Sequence, residues 1–499
     1  MAGVDGFMVD VEVDMGLGLP SFNLVGLPDA AIKESRERVI TAIRNCGFRL
    51  PPRRVTVNLA PADVRKEGAS FDLPIAVGIM ASSEMVPSIP LSTWTFVGEL
   101  SLDGRIRDVK GVLPMAVAVS RSDRLGFVVP SGNGPEAALV KGLDVYPFGS
   151  LQDVVELLRG ADCGVPLRGD HTSALATEAC YVHDLSDVRG QEHAKRALEV
   201  AAAGGHNMLM IGPPGSGKSM LAMRLPTILP ALELDEALET TKIHSVAGRL
   251  SAGSGLVSTR PFRAPHHTVS DAGLIGGGRY PRPGEISLAH NGVLFLDELP
   301  EFRRNVTEAL RQPLEEGHVS IVRAGASIEY PASFMLVAAM NPCGCGYATH
   351  PTRACTCSPL QVRHYLNRVS GPLLDRIDLH VEVPAVRHED LSGEGSGEPS
   401  KAVKERVTEA RRIQRRRLKG VGVSTNARMP ARLVSEYCRL DGAAEKLLKH
   451  AMVKLSLSAR AYHRILRVSR TIADLDGCEG IRSHHVAEAI QYRSLDREV

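Results

Sequence analysis

The chain has 499 residues, of which 43% are hydrophobic, and its formal net charge is +2. Nine cysteines in a chain of this length do not form a secreted disulfide framework, and no apolar run approaches the length of a membrane helix. The N-terminus also lacks the basic and then apolar pattern of a secretory signal. We therefore expect a cytoplasmic globular protein of roughly two to four domains, with no membrane partner.

Residues 1–160 alternate short apolar runs with helical patterns, which is typical of an α/β domain. Residues 55–59, 95–97 and 126–129 are predicted strands, and residues 29–46 are a predicted amphipathic helix. The pattern ends in residues 161–183, where Gly, Asp, Ser and Thr predict a linker between domains.

Residues 212–219 read GPPGSGKS and match the P-loop pattern G-x-x-x-x-G-K-[ST] in full. An apolar run precedes the loop and a helix-compatible stretch follows it, which is the strand–loop–helix context that this motif needs. The glycines allow backbone N–H groups to surround a polyphosphate at a helix N-terminus. The predicted nucleotide-binding residues are Gly212, Pro213, Pro214, Gly215, Ser216, Gly217, Lys218 and Ser219. We expect a nucleoside triphosphate here, with Lys218 on the outer phosphates and Ser219 on Mg²⁺.

Two carboxylates follow another apolar run, as a nucleotide hydrolase requires. Residues 293–296 lead into Asp297, expected near Mg²⁺, and Glu298, expected to act as general base on the attacking water. A further predicted strand, residues 334–340, ends at Asn341, whose amide can orient that water. Because parallel strands bring their C-terminal ends to one crevice, these side chains and Lys218 are predicted to converge.

Two C-x-C pairs follow Asn341 closely. Four thiolates within such a short segment suit a structural Zn²⁺, with reduced free thiols as the alternative. His350 is an alternative fourth ligand. The predicted zinc ligands are Cys343, Cys345, Cys355 and Cys357.

Residues 389–400 are polar and rich in Gly, Ser and Glu, and they predict a second linker. Residues 401–499 are mainly helix-compatible and contain about twice as many basic as acidic residues. Their densest basic run, residues 411–417, predicts an anionic partner such as nucleic acid, or alternatively a solvated helix face.

Several motifs around the P-loop carry a family resemblance. Residues 187–191 (DVRGQ) and 292–298 (GVLFLDE) resemble an AAA+ ATPase. Residues 283–290 (PGEISLAH) and 370–379 (SGPLLDRIDL) resemble the magnesium-chelatase/MCM branch of that class.

Two upstream motifs, residues 58–63 (NLAPAD) and 71–76 (FDLPIA), extend the resemblance to the whole chain, which resembles the ComM/YifB family. Members of that family are described as competence-related, ring-forming ATPases that drive DNA branch migration. The resemblance implies an α/β fold with three parts. They are a Lon-protease-like domain in residues 1–160, a P-loop AAA+ core with a parallel sheet and magnesium-chelatase-type insertions in residues 184–388, and a helical lid in residues 401–499.

The resemblance also assigns roles to arginines. Arg376 matches the arginine finger, which reaches the nucleotide of a neighbouring subunit. Arg460 matches the sensor arginine of the helical lid, with Arg464 as the reserve choice. An arginine supplied by a neighbour implies a homo-oligomeric ring, expected to be a hexamer. Arg376 and Arg460 could instead form ordinary surface ion pairs.

Residues 263–282 and 315–331 match two insertions of this branch, which are expected to face the pore of the ring. Three arginines in these segments are expected to contact DNA phosphates, or alternatively to pack between subunits. They are Arg279, Arg282 and Arg323. The adjacent His266 and His267 are expected to be structural or pore-lining rather than metal-binding.

The first domain raises the question of proteolysis. Residues 66–70 (KEGAS) resemble the serine segment of a Lon-type peptidase, with Ser70 at the place of the nucleophile, and residues 98–105 resemble its next strand. Continuing the alignment puts Leu113 where the lysine base belongs, and Lys110 would need a different register. Because serine needs a base within hydrogen-bond reach, we expect this domain to be proteolytically inactive.

The resemblance favours an ATP-dependent, ring-forming motor that remodels or branch-migrates single-stranded or branched DNA during homologous recombination or natural transformation. A magnesium-chelatase-type motor acting on a protein partner is the first alternative, and the Lon-like domain argues against it. An ATP-dependent protease is a second alternative, which Leu113 disfavours. A non-enzymatic DNA-loading scaffold is a third, which the complete set of hydrolysis residues disfavours.

Overall fold

The computed structural model describes residues 3–64, 66, 68–87, 91–122, 124, 126–160, 165–169, 181–250, 255–278, 281–323, 326–385, 397–455 and 457–493. The chain divides into two compact units. The first contains Met1–Glu178 and Glu233–Ser258, and the second contains Ala179–Leu232 and Thr259–Val499. The expected ATPase range, 184–388, is therefore not one continuous unit, because Glu233–Ser258 packs with the N-terminal segment. Most residues of the two expected linkers lie outside the described residues.

Two three-stranded sheets form the framework of the first unit. The strands of the first sheet are, in spatial order, Asp10–Gly16, Arg54–Ala60 and Ser21–Val25. Those of the second sheet are Trp94–Phe96, Gly126–Pro130 and Val145–Phe148. Only the pairing of Asp10–Gly16 with Arg54–Ala60 is antiparallel among these neighbours. Gly126–Pro130 is buried along its whole length, as a central strand covered on both faces requires. A short antiparallel pair joins Glu99–Leu100 to Ile106–Arg107. The three strands predicted in this segment are confirmed to within a few residues.

The helices of the first unit are Ala30–Lys33, Ser35–Asn45, Asp72–Ser82, Val112–Ser120, Gly134–Ala137, Leu151–Leu158 and Leu234–Ala247. The helix predicted over residues 29–46 is two helices that meet at Glu34. Asp29 begins the first of them, because its carboxylate accepts the backbone N–H of Ile32 at 2.9 Å. The apolar face of the second helix buries Val39 and Ile43 in the core.

A buried carboxylate fixes the helix Leu234–Ala247 within the first unit. The Glu136 side chain is 6% exposed and accepts a hydrogen bond from the backbone N–H of Leu113 at 2.9 Å. It also accepts from the hydroxyl of Ser245 and from the amide of Asn133. The hydroxyl of Ser245 donates from the last turns of Leu234–Ala247. The bond from Ser245 to Glu136 therefore connects this helix, which follows the P-loop in sequence, to the N-terminal segment.

The second unit is built on one parallel sheet of five strands. In spatial order they are Phe262–Arg263, Val293–Leu296, Met335–Met340, Met208–Ile211 and Leu379–Glu382. The three middle strands are buried at every residue, which matches their continuous apolar sequences. The predicted parallel sheet is confirmed, and the ends of its strands position the residues of the candidate site.

Helices and short strand pairs surround this sheet. The helices that precede residue 397 are Glu192–Gly204, Lys218–Ile228, Asp271–Leu274, Glu285–Leu288, Arg304–Ala309, Arg311–Glu316, Pro359–Leu366 and Gly371–Leu374. The two strand pairs are Gly276–Gly277 with Arg282–Pro283, and the hairpin His318–Arg323 with Ala326–Pro331. The hairpin follows the helix Arg311–Glu316, within the segment predicted to be the second insertion.

The C-terminal region is helical, as predicted. Its helices are Ser400–Arg417, Ala431–Tyr437, Gly442–Lys454, Ala459–Leu475 and Ser483–Gln491. They bury their apolar faces in the same core as the helix Glu192–Gly204 and the sheet. Within the described residues, no helix is both long and apolar enough to cross a membrane.

Two arginines of the basic run at residues 411–417 are bonded inside the second unit. Arg411 is buried and donates to the carbonyl of Ala202 at 2.8 and 3.0 Å. Arg417 pairs with the buried carboxylate of Asp474, and Arg412 pairs with an acidic neighbour on its own helix. Arg411 and Arg417 therefore bind other parts of the second unit, whereas Arg412 and Arg416 are exposed, as a solvated helix face predicts.

Candidate nucleotide and metal sites

The P-loop connects the strand Met208–Ile211 to the helix Lys218–Ile228. Gly215 and Gly217 adopt positive φ angles of 75° and 85°, which a side chain rarely tolerates. At Gly212 a Cβ atom would lie 2.0 Å from the carbonyl oxygen of Val383. The glycines are thus required by the path of the loop, which leaves its backbone open for close approach by phosphate.

The Lys218 side chain lies at the centre of the site. Its Nζ donates to the carbonyl oxygens of Gly212 and Pro213 at 2.7 and 2.9 Å, and to Oδ1 of Asn341 at 3.3 Å. Burial lowers the pKa of this ammonium group, and the nearby carboxylates of Asp297 and Glu298 oppose that shift. The structure therefore brings Lys218 and Asn341 together, as expected from the C-terminal ends of parallel strands.

Ser219 and Asp297, the two residues expected to hold Mg²⁺, are in direct contact. The Ser219 hydroxyl donates to Oδ2 of Asp297 at 2.6 Å, and the other oxygen of this carboxylate accepts the backbone N–H of Glu298 at 2.9 Å. A hydroxyl and a carboxylate at this edge of the sheet are ligands of the kind that Mg²⁺ prefers, together with phosphate oxygens. The donor set therefore fits the cation.

Glu298, the residue after Asp297, has a φ angle of 54°, in the left-handed region of backbone conformation. This conformation is uncommon for a residue with a side chain, and it turns the carboxylate away from the strand direction. Nδ1 of His267 lies 3.6 Å from Oε2 of Glu298, and the His266 ring contacts the His267 ring at a centroid distance of 4.0 Å. The expectation that these histidines are structural or pore-lining missed this contact with the predicted base, because it depends on the path of a loop from another strand.

Gln191 is a second residue whose role the motif alone did not reveal. Its φ angle is 57°, and its side-chain amide donates to the carbonyl of Ser216 at 2.6 Å and to that of Pro384 at 3.3 Å. It therefore connects the P-loop to the segment that follows the strand Leu379–Glu382. The left-handed backbone at this position aims the amide at the loop.

Arg376 contacts groups of its own chain. One guanidinium nitrogen donates to the carbonyl of Pro372 at 2.6 Å and another pairs with the carboxylate of Glu315. The lid arginines contact the same segment: Arg460 lies 3.5 Å from the carboxylate of Asp375, and Arg464 donates to the carbonyl of Ile377 at 3.1 Å. The predicted sensor Arg460 thus contacts Asp375, the residue next to the predicted finger Arg376.

The four predicted zinc ligands form one cluster. All four sulfur atoms lie within 4.8 Å of one another, and three of the Sγ–Sγ distances are 3.3, 3.5 and 3.7 Å. A zinc tetrahedron with bonds of about 2.3 Å has sulfur atoms about 3.8 Å apart, so the set fits this metal. Backbone N–H groups of Tyr347 and Thr356 lower the pKa of the Cys345 thiol to about 5. His350 lies outside this group, and its Nδ1 accepts the backbone N–H of Arg353 at 3.1 Å.

A second cluster of metal-binding residue types, Asp476, His484 and His485, lies before and within the last helix. Nδ1 of His485 accepts the backbone N–H of Arg482 at 2.9 Å. The neutral ring therefore carries its proton on Nε2, which lies 3.2 Å from the carboxylate of Asp476. Because that nitrogen has no lone pair to offer, this cluster is a capping arrangement rather than a metal site.

The predicted pore arginines are only partly described. Arg282 is exposed, Arg279 lies outside the described residues, and so does the side chain of Arg323. In the first unit, Leu113 is fully buried and Lys110 is exposed. The Leu113 side chain is part of the hydrophobic core, and it has no group that could act as a base for Ser70.

Magnesium-chelatase family models match most of the chain. The model of magnesium chelatase subunit ChlI matches residues 184–391, a model of subunit ChlI of Mg-chelatase matches residues 11–133, and a model of the ChlI C-terminal region matches residues 397–493. Competence protein ComM of Haemophilus influenzae is 47% identical over 499 residues, covering 99% of this chain and 96% of that protein.

Two further relatives differ in how much of the chain they cover. YifB of Escherichia coli is 44% identical over 496 residues, which is 99% of this chain and 96% of that protein. The magnesium-chelatase 38 kDa subunit of Rhodobacter capsulatus is 27% identical over 188 residues, which is 34% of this chain and 53% of that subunit. The chelatase similarity is thus partial, whereas the similarity to ComM and YifB spans nearly the whole chain.

Proposed function

The chain belongs to the ComM/YifB family, and from this membership we propose that it is an ATP-driven, ring-forming motor that remodels or branch-migrates DNA in homologous recombination or natural transformation. Family membership makes the chain an AAA+ ATPase of the magnesium-chelatase-like type that uses ATP and Mg²⁺. The expected fold class, with a parallel P-loop core and a helical C-terminus, is also confirmed.

The contact of Ser219 with Asp297, beside Lys218 and Asn341, is the observation that supports hydrolysis most directly. When ATP binds, Lys218 exchanges its carbonyl partners for the outer phosphates. Mg²⁺, when bound by Ser219 and Asp297, neutralises phosphate charge. Glu298 accepts the proton of the attacking water, which the Asn341 amide orients.

The ring part of the proposal rests on Arg376 and Arg460. Arg376 follows the helix Gly371–Leu374, and Arg460, in the helix Ala459–Leu475, lies 3.5 Å from the carboxylate of Asp375 beside it. We propose a homo-oligomer, expected to be hexameric, in which Arg376 stabilises transition-state charge in the adjacent subunit and Arg460 is the sensor arginine of the helical lid.

The DNA part is supported by the similarity to a protein named for competence and by the exposed Arg282. In the basic run at 411–417, Arg411 and Arg417 are bonded within the second unit and therefore do not support the DNA part. A chelatase-type motor acting on a protein partner is the second candidate, favoured by the family models, while the partial coverage of the chelatase subunit argues against it.

Steady-state ATP hydrolysis, measured alone and with single-stranded, duplex or four-way-junction DNA, tests the proposal. We expect stimulation by branched or single-stranded DNA that disappears in the Lys218→Ala variant. Hydrolysis that no DNA changes would contradict the motor and favour a protein partner.

The cofactors of the proposal are ATP and Mg²⁺, together with Zn²⁺ at the cluster that contains Cys343 and Cys355. The free thiols and their spacing support this metal. We place the motor in the cytoplasm, where ATP and reduced thiols are available.

A further inference from the structure

We propose that Zn²⁺ held by the four-cysteine cluster sets the nucleotide affinity of the neighbouring P-loop, because the metal-bound turn supports that loop directly. The inference rests on the ATPase part of the proposed function and goes beyond it, since DNA has no part in it. The cluster consists of Cys343, Cys345, Cys355 and Cys357.

The turn that carries the first two thiols touches the P-loop. Gly346 has a φ angle of 86°, and a Cβ atom built on it would lie 2.7 Å from Cδ and from Cγ of Pro214. The Gly346 backbone therefore rests against the Pro214 ring with no room for a side chain. The backbone N–H of Gly346 donates to the carbonyl of Cys343 at 3.0 Å, so the same turn contains two metal ligands and this contact.

The same turn begins next to the groups that hold Lys218. Asn341 accepts from Nζ of Lys218 and lies two residues before Cys343. The carbonyl of Pro213, which precedes Pro214, accepts from the same Nζ at 2.9 Å. The position of the turn therefore affects two of the three acceptors of the phosphate-binding lysine.

A metal ion would fix this turn far more firmly than its own contacts do. It would join Cys343 and Cys345 to the later pair and close the intervening loop, which restricts the chain as any cross-link does. Without the metal, packing holds Gly346 against Pro214, and the hydrogen bond from Gly346 to Cys343 acts only within the turn. Loss of the metal would then allow the P-loop to leave the arrangement that receives phosphate.

Coupling between two binding sites is commonly about 5- to 150-fold in affinity, and it must be reciprocal. If Zn²⁺ tightens nucleotide binding by a given factor, nucleotide must tighten Zn²⁺ binding by that factor. This reciprocity provides a test on the unmodified protein, which does not depend on whether a variant folds.

The first experiment measures metal content and nucleotide affinity of the full-length protein. Elemental analysis is expected to find one Zn²⁺ per chain in the wild type and in Cys478→Ser, which removes a free thiol outside the cluster. The double variant Cys345→Ser/Cys357→Ser is expected to lose the metal and to bind a fluorescent ATP analogue at least fivefold more weakly. Wild-type protein with reduced thiols and no zinc would overturn the proposal, and so would unchanged affinity in the metal-free variant.

The second experiment measures transfer of Zn²⁺ from the wild type to a chromophoric chelator, with and without ADP. Nucleotide is expected to shift this equilibrium towards the protein by the factor found in the first experiment, and no shift would overturn the coupling.

The variant Gly346→Ala keeps every thiol and places a methyl group against Pro214. We expect it to retain zinc and to bind nucleotide more weakly, and wild-type affinity would overturn the proposed route. A protein that binds zinc and nucleotide cooperatively but ignores DNA would refute the motor and leave this inference intact.

Discussion

Nδ1 of His267 and Oε2 of Glu298 lie 3.6 Å apart, so an imidazole from one loop contacts the carboxylate that follows another strand. The His267 ring is 31% exposed and packs edge-on against Phe302 at a centroid distance of 6.4 Å. This packing restricts the ring, and the restricted ring limits where the Glu298 carboxylate can point. We infer that the general base of the proposed hydrolysis is oriented by His267, a residue outside the P-loop and outside the acidic pair.

The variant His267→Phe removes this contact while keeping an aromatic ring against Phe302. We expect kcat for ATP hydrolysis to fall on the order of tenfold with little change in KM, because a misdirected base loses part of its catalytic contribution. His266→Phe is the matched control, since its imidazole is paired with Thr268 at 2.9 Å instead. Equal kcat values for the two variants would contradict an orienting role for His267.

Removal of the base itself should have a larger and more selective effect. In Glu298→Gln the side chain keeps its size but cannot accept the proton of water, so hydrolysis should fall about 100-fold or more. Binding of ATP should persist, because Lys218 and Ser219 are untouched. Glu301→Gln is the control, since Glu301 pairs with Arg368 at 2.8 Å near the same strand end. Normal turnover in Glu298→Gln, measured by phosphate release, would mean that another group is the base.

The convergence of Lys218, Asn341, Ser219 and Asp297 could be predicted because it follows from local sequence. Each of these residues stands directly at the C-terminal end of an apolar strand or on the helix that follows, and parallel pairing brings those ends to one edge. The strands themselves were recognisable because they are buried on both faces and therefore apolar throughout.

The contacts of His267, Gln191 and Glu315 could not be predicted in the same way. They depend on loop paths between strands that are distant in sequence, and no spacing encodes them. The docking of Leu234–Ala247 in the first unit was missed for a related reason. Helical periodicity shows which face of a helix is apolar, but it does not show against which unit that face packs.

Arg376 and Glu298 should act in different subunits if the proposed ring forms. Arg376→Ala should lower hydrolysis about 1000-fold or more, as loss of an arginine finger does elsewhere. Mixing Arg376→Ala subunits with Glu298→Gln subunits should then restore part of the activity, because some interfaces combine an intact finger with an intact base. Co-assembly can be verified with two different affinity tags. Mixed rings without recovered hydrolysis would contradict action in the neighbouring subunit.

The buried carboxylate of Glu136 should be a principal support of the first unit. In Glu136→Ala the backbone N–H of Leu113 and the hydroxyl of Ser245 lose their acceptor. Leaving such groups unsatisfied should lower the free energy of unfolding of this unit by about 1–3 kcal/mol. The chain's single tryptophan, Trp94, lies in the same unit with its ring centroid 4.9 Å from that of Tyr146, so its fluorescence in urea reports this transition selectively.

Glu156→Ala, an exposed change on the helix Leu151–Leu158, is the matched control for Glu136→Ala and should alter the free energy of unfolding by about 0.5 kcal/mol or less. The slope of the transition should stay the same in both variants, because neither changes the surface exposed on unfolding. If Glu136→Ala and Glu156→Ala unfold at the same urea concentration, Glu136 does not hold Leu234–Ala247 in the first unit. The expected result is a urea midpoint that is lowered in Glu136→Ala, lowered to a smaller extent in Ser245→Ala, and unchanged in Glu156→Ala. That result would identify the Ser245–Glu136 hydrogen bond as the one that fixes the helix Leu234–Ala247 in the first unit.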